Sequence, residues 1–446
     1  MLNYIWLSLV VLSVLIGGAT NHLDEVVSKA FDMAKAAVMD TALPLAAIMT
    51  IWLGIMRLAE KAGLVQLLAR ALRPILRWLF PDVPPENPAM GAIVMNVAAN
   101  MLGLGNAATP MGLRAMAELQ KINPHPEVAS NAMCTFLAMC TASIQLIPAT
   151  AVGILVVNHG KNATAIVGTA FFATCIAQIV GLTAVKAFQN LPMFRVSPEL
   201  RTETAAVAAT ESASLPATPE MVQPAAITTG GKIILTLFLG CFVYFFVILA
   251  FPELKLDHLQ NGGFTFGKIF TRVVGAISLL AIPFFLSFFA LYAALRKIKV
   301  YEEFIEGAKE GFGVAIRIIP YLVTILTAVG MFRGAHGIEM IANFLKPVLD
   351  KVGFPPELLS LAFMRPLSGS GSLALFTDIV KQYGPDHIFS MMAGTVYGST
   401  ETTFYVLAVY FGSVGIKRSR HAVPAGLLAD FAGIVASVII CRIVFG

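Results

Sequence analysis

Four polar clusters interrupt an otherwise apolar chain, and they hold the residue types that bind small solutes. The first is NVAANMLGLGNAATP, residues 96–110. Its Asn96 and Asn100 are four apart and share one helix face. Gly103, Leu104 and Gly105 interrupt the helix, and Asn106 follows. Thr109 before Pro110 reads as a cap and first residue of a new helix, with its positive end inside the membrane. The second cluster is RPLSGSGSLALFTD, residues 365–378. Arg365 brings a full charge. Ser368, Ser370 and Ser372 alternate with glycines, and such a turn presents N–H groups and hydroxyls to an anion. The bland reading of this run is close helix packing through small residues.

The remaining clusters are TASIQ, residues 141–145, and GSTETTFY, residues 398–405. Thr141, Ser143 and Gln145 stand against Ser399, Thr400, Glu401, Thr402 and Thr403. A carboxylate at mid-membrane costs about 2.5–3.5 kcal/mol on insertion scales. Glu401 therefore requires a polar cavity, a cation or a proton, and Arg365 is its natural partner. The two readings are a solute or proton site and a structural ion pair. His125, His159, His336, His387 and His421 read as loop or interface residues. The five cysteines lie in apolar stretches without a C-x-x-C pair, so they read as packing residues. No hydrolase, P-loop or metalloprotease motif is present, and neither a metal nor a cofactor is expected. An enzyme is not expected either.

These clusters must be positioned by a membrane protein. Of 446 residues, 57% are hydrophobic and 13% charged, with a mean hydropathy of +0.79. A soluble domain carries about 25% charged residues. Apolar runs near 20 residues long predict all-α spans rather than a barrel. Nine are expected, at 2–19, 41–58, 131–157, 163–187, 233–251, 273–295, 317–333, 388–414 and 422–442. Residues 21–40, 63–80, 301–316 and 335–351 read as interfacial amphipathic helices. Residues 88–121 and 357–383 read as re-entrant or broken helices. A cytoplasmic N-terminus places the RKIK cluster at 296–299 and the KRSR cluster at 417–420 inside, as the positive-inside bias requires. That bias accounts for the basic residues without nucleic acid.

The chain divides at 195–231, a flexible linker rich in Ala, Thr, Ser, Pro and Glu. Residues 1–194 form one repeat, and 232–446 hold an extra helix and a second repeat. Pro44, Gly54 and Arg57 recur as Pro320, Gly330 and Arg333. LRPIL recurs as LKPVL, PPE as PPE, GLGN as GSGS, and TAS as TET, in the same order. The odd helix at 233–251 inverts the second unit. Inverted repeats with broken helices are an architecture of secondary transporters.

The first half, with FPDVPPENPAMG and GLGNAATPMGLRAM, resembles spore maturation protein A. The second, with RPLSGSG and GSTETTFYVLAVYFGSVGIKRSRHAVPAGLLAD, resembles spore maturation protein B. The likeness covers nearly the whole chain except the linker, and presents separate proteins of that family as one fused chain. It implies the nucleoside-recognition, or Gate, class, which also includes segments of concentrative nucleoside transporters and of the ferrous iron permease. It implies no substrate. The expectation is a bacterial inner-membrane transporter or permease for a small polar solute, with an anionic group favoured. The alternative is a non-transporting assembly or sensor protein of envelope or spore maturation. Homo-oligomerisation is left open, and the lipid bilayer is the other expected partner.

Overall fold

The computed structural model describes residues 2–84, 86–102, 105–194, 225–251, 266–337, 340 and 353–446. Most of the linker, Gly103, Leu104, the side chain of Asn106, and nearly all of the helix expected at 335–351 lie outside the described residues.

Two long helices pack antiparallel through the middle of the molecule. The first follows α1 (Leu2–Thr20) and a turn at residues 21 and 22, and begins as α2 (Leu23–Ala36). A π-helical stretch, Ala37–Ala42, joins α2 without interruption to α3 (Leu43–Lys61). Pro44 sits just past this wide turn, where its missing N–H is absorbed. The amphipathic segment expected at 21–40 is therefore the first part of one helix that includes the span. The boundary expected between residues 40 and 41 does not exist. The second half behaves alike, since 301–316 and 317–333 fuse into a single 35-residue helix, Val300–Gly334.

The helices between them are α4 (Leu64–Leu79), α5 (Pro88–Met101), α6 (Gly105–Lys121), α7 (Asn131–Thr141), α8 (Ala149–Val157), α9 (Ile166–Phe188), α10 (Thr229–Ala250) and α11 (Phe266–Leu295). The long helix is α12. It is followed by α13 (Leu359–Met364), α14 (Gly369–Tyr383), α15 (Ile388–Ser399), α16 (Thr403–Gly412) and α17 (Ala422–Phe445). Helices α5–α6 and α13–α14 are the two expected hairpins. Asn87 accepts from the Ala89 N–H at 2.8 Å to start α5, with Pro88 at the first position.

The two halves are inverted. A Cβ on Gly54 would lie 2.8 Å from the Phe304 ring, and one on Gly330 would lie 2.9 Å from the Lys29 carbonyl oxygen. In the repeat Gly54 corresponds to Gly330, so the same contact is made twice, once from each half. Equivalent helices that pack antiparallel through equivalent glycines require units of opposite orientation.

Among the described residues, five helices are long and apolar enough to cross a membrane: Leu23–Lys61, Ala163–Phe188, Thr229–Ala250, Ile269–Leu295 and Ala422–Phe445. In α10 only Gly231 and Ala250 are buried, so nearly all of its apolar surface is left for lipid. The chain is a multi-pass helical membrane protein. Two expected spans are corrected. Residues 131–157 break between α7 and α8, and 388–414 break between α15 and α16. Breaking frees backbone groups that must find other partners. The Glu401 N–H donates to the Thr141 carbonyl at 2.7 Å, Leu146 N–H to Met101 at 3.0 Å, and Phe404 N–H to Pro366 at 3.0 Å. Each break is thus tied to the hairpin tip of its own half and to the other break.

Candidate functional site

The two unwound segments cross at close range. A Cβ on Gly398 would stand 2.7 Å from the Pro148 ring. Beside this crossing lies a cavity of about 140 Å³, room for several waters or a small solute. One wall is apolar, from Met49, Trp52 and Leu53 of α3. The other holds Gln145, Arg365, Tyr397 and Glu401. Ala149, Thr150 and Ala151, the first turn of α8, also face it, as does Gly369, which starts α14. Two helix N-termini and one guanidinium therefore point positive charge at the space.

Arg365 is 3% exposed. Its Nη1 donates to the Thr402 hydroxyl at 3.2 Å, and its guanidinium carbon lies 5.0 Å from the centre of the Tyr397 ring. Its Nε has no partner. Glu401 accepts from the Gln145 amide at 2.8 Å. The expected direct pairing of Arg365 with Glu401 is corrected: each charge uses a neutral neighbour instead. The cause is local. Glu401 and Thr402 lie in extended backbone between α15 and α16, where successive side chains point in opposite directions. Thr402 takes the arginine, and Glu401 faces the glutamine of the opposite break.

The serines of the second hairpin serve the backbone. Ser368 caps α14 by accepting from the Gly371 N–H at 3.0 Å, and approaches Ser370 at 3.3 Å. Ser372 donates to the Ser368 carbonyl at 2.7 Å. Ser368→Ala should cost about 1 kcal/mol of stability, read as a lowered unfolding temperature. An unchanged temperature would remove the cap from the account of this hairpin.

Asn96 and Asn100 lie apart from the cavity wall. The Asn96 amide donates to the Ala108 carbonyl at 2.7 Å and accepts from Asn100 at 3.3 Å and from the Cys140 thiol at 3.4 Å. These bonds close the first hairpin. Gly105 opens α6, Thr109 is half-buried inside it, and Pro110 lies within the helix. The helix start expected at Thr109 is therefore corrected: Thr109 and Pro110 lie inside a helix already formed at Gly105.

Thr141, Ser143, Ser399, Thr400 and Thr403 are buried. Ser143 offers its carbonyl to the Thr174 hydroxyl at 2.9 Å, and Ser399 donates to Val396 at 2.9 Å. Thr403 donates to the Asp430 carboxylate at 2.6 Å. Asp430 is 1% exposed and went unread in the sequence. It sits on α17 between Gly426 and Gly433, which admit the second break against that helix. A Cβ on Gly433 would be 2.7 Å from Thr400, and one on Gly426 would be 3.2 Å from the Thr403 hydroxyl. The signal available was an acid inside an apolar span.

Comparison with known proteins finds relatives of both parts of the chain. Residues 42–188 and 315–417 match the Gate family, described as nucleoside recognition. The chain is 44% identical over 175 residues to spore maturation protein B of Bacillus subtilis (strain 168), covering 39% of this chain and 98% of that protein. It is 41% identical over 179 residues to spore maturation protein A of the same organism, covering 40% of this chain and 91% of that protein. Among solved structures, the Alcanivorax borkumensis YdaH transporter aligns over 98% of this chain and 96% of its own at 14% identity. Its TM-score is 0.37, too low to equate the two folds.

Proposed function

The chain belongs to the Gate family, and from that premise we propose that it is a secondary transporter or permease for a small polar solute bearing an anionic group. The observation that carries this reading is the cavity at the crossed breaks. It is flanked by the N-termini of α8 and α14, with Arg365 buried in its wall. Fixed positive ends in a site of low dielectric favour a negative group without reorganisation. Glu401, on the same wall, supplies a carboxylate that can carry a coupling proton. Broken helices from inverted halves, meeting at one site, also allow either half to rock about it.

The protein would sit in a bacterial inner membrane with its N-terminus in the cytoplasm, as its basic loops favour. It would carry out no covalent chemistry of its own. The alternative is a non-transporting sensor or assembly protein, and the names of the two spore maturation relatives favour it. A dry, filled centre would suit that role better than this cavity does.

A thermal-shift screen of the purified protein identifies the solute. Nucleosides come first, then amino acids and dicarboxylates. A true ligand at one hundred times its Kd stabilises by about 2.7 kcal/mol. Uptake of the hit into proteoliposomes then decides the function. Arg365→Ala should reduce uptake at least tenfold, the loss of about 1.4 kcal/mol of binding. Glu401→Gln should weaken its dependence on a proton gradient. Binding without uptake supports the sensor reading. Uptake unchanged in both variants removes the site.

A further inference from the structure

We propose that His22, Glu25 and His336 form a binding site for a divalent transition-metal ion of the zinc class. The site is independent of the solute cavity and of the transport reading. One ligand atom from each of the three lies within 4.8 Å of the others. Nε2 of His336 stands 3.8 Å from Oε2 of Glu25. The two imidazole rings are 4.9 Å apart, centre to centre, and inclined at 75°. Zinc bonds to histidine nitrogen and carboxylate oxygen are about 2.0–2.2 Å long. Ligand atoms around one ion are then about 3.3 Å apart, so rotamer adjustments alone bring the three together.

The backbone holds the two histidines in place. His22 closes the two-residue turn between α1 and α2, and its N–H donates to the Gly17 carbonyl at 2.8 Å. Glu25 is three residues further on and shares its helix face. His336 follows the end of α12 at φ +57, with its N–H on the Arg333 carbonyl at 2.8 Å. Glycine or asparagine usually occupies a left-handed position after a helix. A histidine there, against steric preference, keeps an imidazole at this spot. The helices bearing these residues are in close contact, since a Cβ on Gly334 would lie 2.8 Å from the Glu25 carbonyl oxygen.

A second observation points to a ligand. Nδ1 of His22 is buried and has no hydrogen-bond partner. An imidazole nitrogen removed from water without a partner is costly, and a metal ion satisfies it. Two nitrogens and one carboxylate oxygen select zinc, nickel or cobalt over magnesium and calcium, which take oxygen ligands. The ligands come from both halves of the chain. A bound ion would therefore clasp one end of the antiparallel pair. At the opposite end Arg57 bridges Glu303 at 2.9 Å and Glu310 at 2.8 Å.

The test uses the full chain in detergent after treatment with EDTA. Titration with zinc chloride, followed by calorimetry and by unfolding temperature, should show one ion per chain and a rise in unfolding temperature. Magnesium chloride should do neither. His22→Ala and His336→Ala should each lower zinc affinity at least tenfold while unfolding like the wild type without metal. Cobalt(II) should give visible absorption bands that both variants lose. Absence of a zinc-dependent shift in the wild type overturns the proposal. So does zinc binding of wild-type strength in the His22→Ala/His336→Ala double variant, which would assign the ion to other histidines.

Discussion

Arg333→Ala is expected to destabilise the protein by about 3–5 kcal/mol, the cost of leaving a buried charge without its partner. Arg333 closes α12 and meets Asp378 of α14 in a two-pronged pair, with Nη1 to Oδ1 at 2.6 Å and Nη2 to Oδ2 beside it. The carboxylate side chain is only 4% exposed, the guanidinium 27%. That asymmetry predicts an order. Asp378→Ala should cost less than Arg333→Ala, because a released arginine reaches water and a released aspartate does not. Replacing both with apolar residues, Arg333→Met with Asp378→Leu, should recover most of the loss, since a buried pair contributes little net stability over good packing. Unfolding of the three variants in detergent is the measurement. Equal losses in both single variants would mean that burial does not govern the pair. A double variant as poor as Arg333→Ala would mean that the pair contributes more than its own satisfaction. Helix α14 begins at the solute cavity, so Arg333→Ala should also weaken ligand binding although it touches no ligand.

What the sequence disclosed follows from which features are local. Pro44, Gly54 and Arg57 recur as Pro320, Gly330 and Arg333 because equivalent positions in two helices must meet at short range. The requirement for a small residue leaves its mark in both. The hairpins were legible through the Gly and Pro interruptions in 88–121 and the Gly/Ser run at 369–372, although the cap read at Thr109–Pro110 lies inside a helix. The breaks at 142–148 and 400–402 were hidden. Both lie in apolar runs long enough to pass for whole spans. Pro148 was the one local hint, since proline disfavours helix in the residue before it. The partner choice of Arg365 was illegible because Glu401 and Thr402 differ by one residue in extended backbone, and that difference reverses the side chain's direction. His22 and His336 are far apart along the chain, and the antiparallel packing of α2 on α12 unites them.

That packing sets the second large effect. Gly307→Val is expected to cost at least about 3 kcal/mol, the upper part of the range for overpacked interiors. A Cβ at Gly307 would lie 2.5 Å from the Leu53 carbonyl oxygen, 2.7 Å from the Arg57 Cβ and 3.0 Å from the Gly54 Cα. Two of those three atoms are backbone, so no rotamer change relieves the clash, and α12 must move away from α3. Displacement there also pulls Glu303 from Arg57 and opens the α3 wall, with Trp52 and Leu53, on the cavity. Gly240 and Gly275 provide the contrast, because a Cβ on either meets nothing within 4 Å. Their alanine variants should be neutral or gain up to about 1 kcal/mol from lower backbone freedom. Unfolding temperatures in detergent distinguish the classes. If Gly307→Val behaves like Gly240→Ala, the antiparallel contact between the inverted halves is looser than these distances describe. The halves would then be free to slide without the small residues that the repeat preserves.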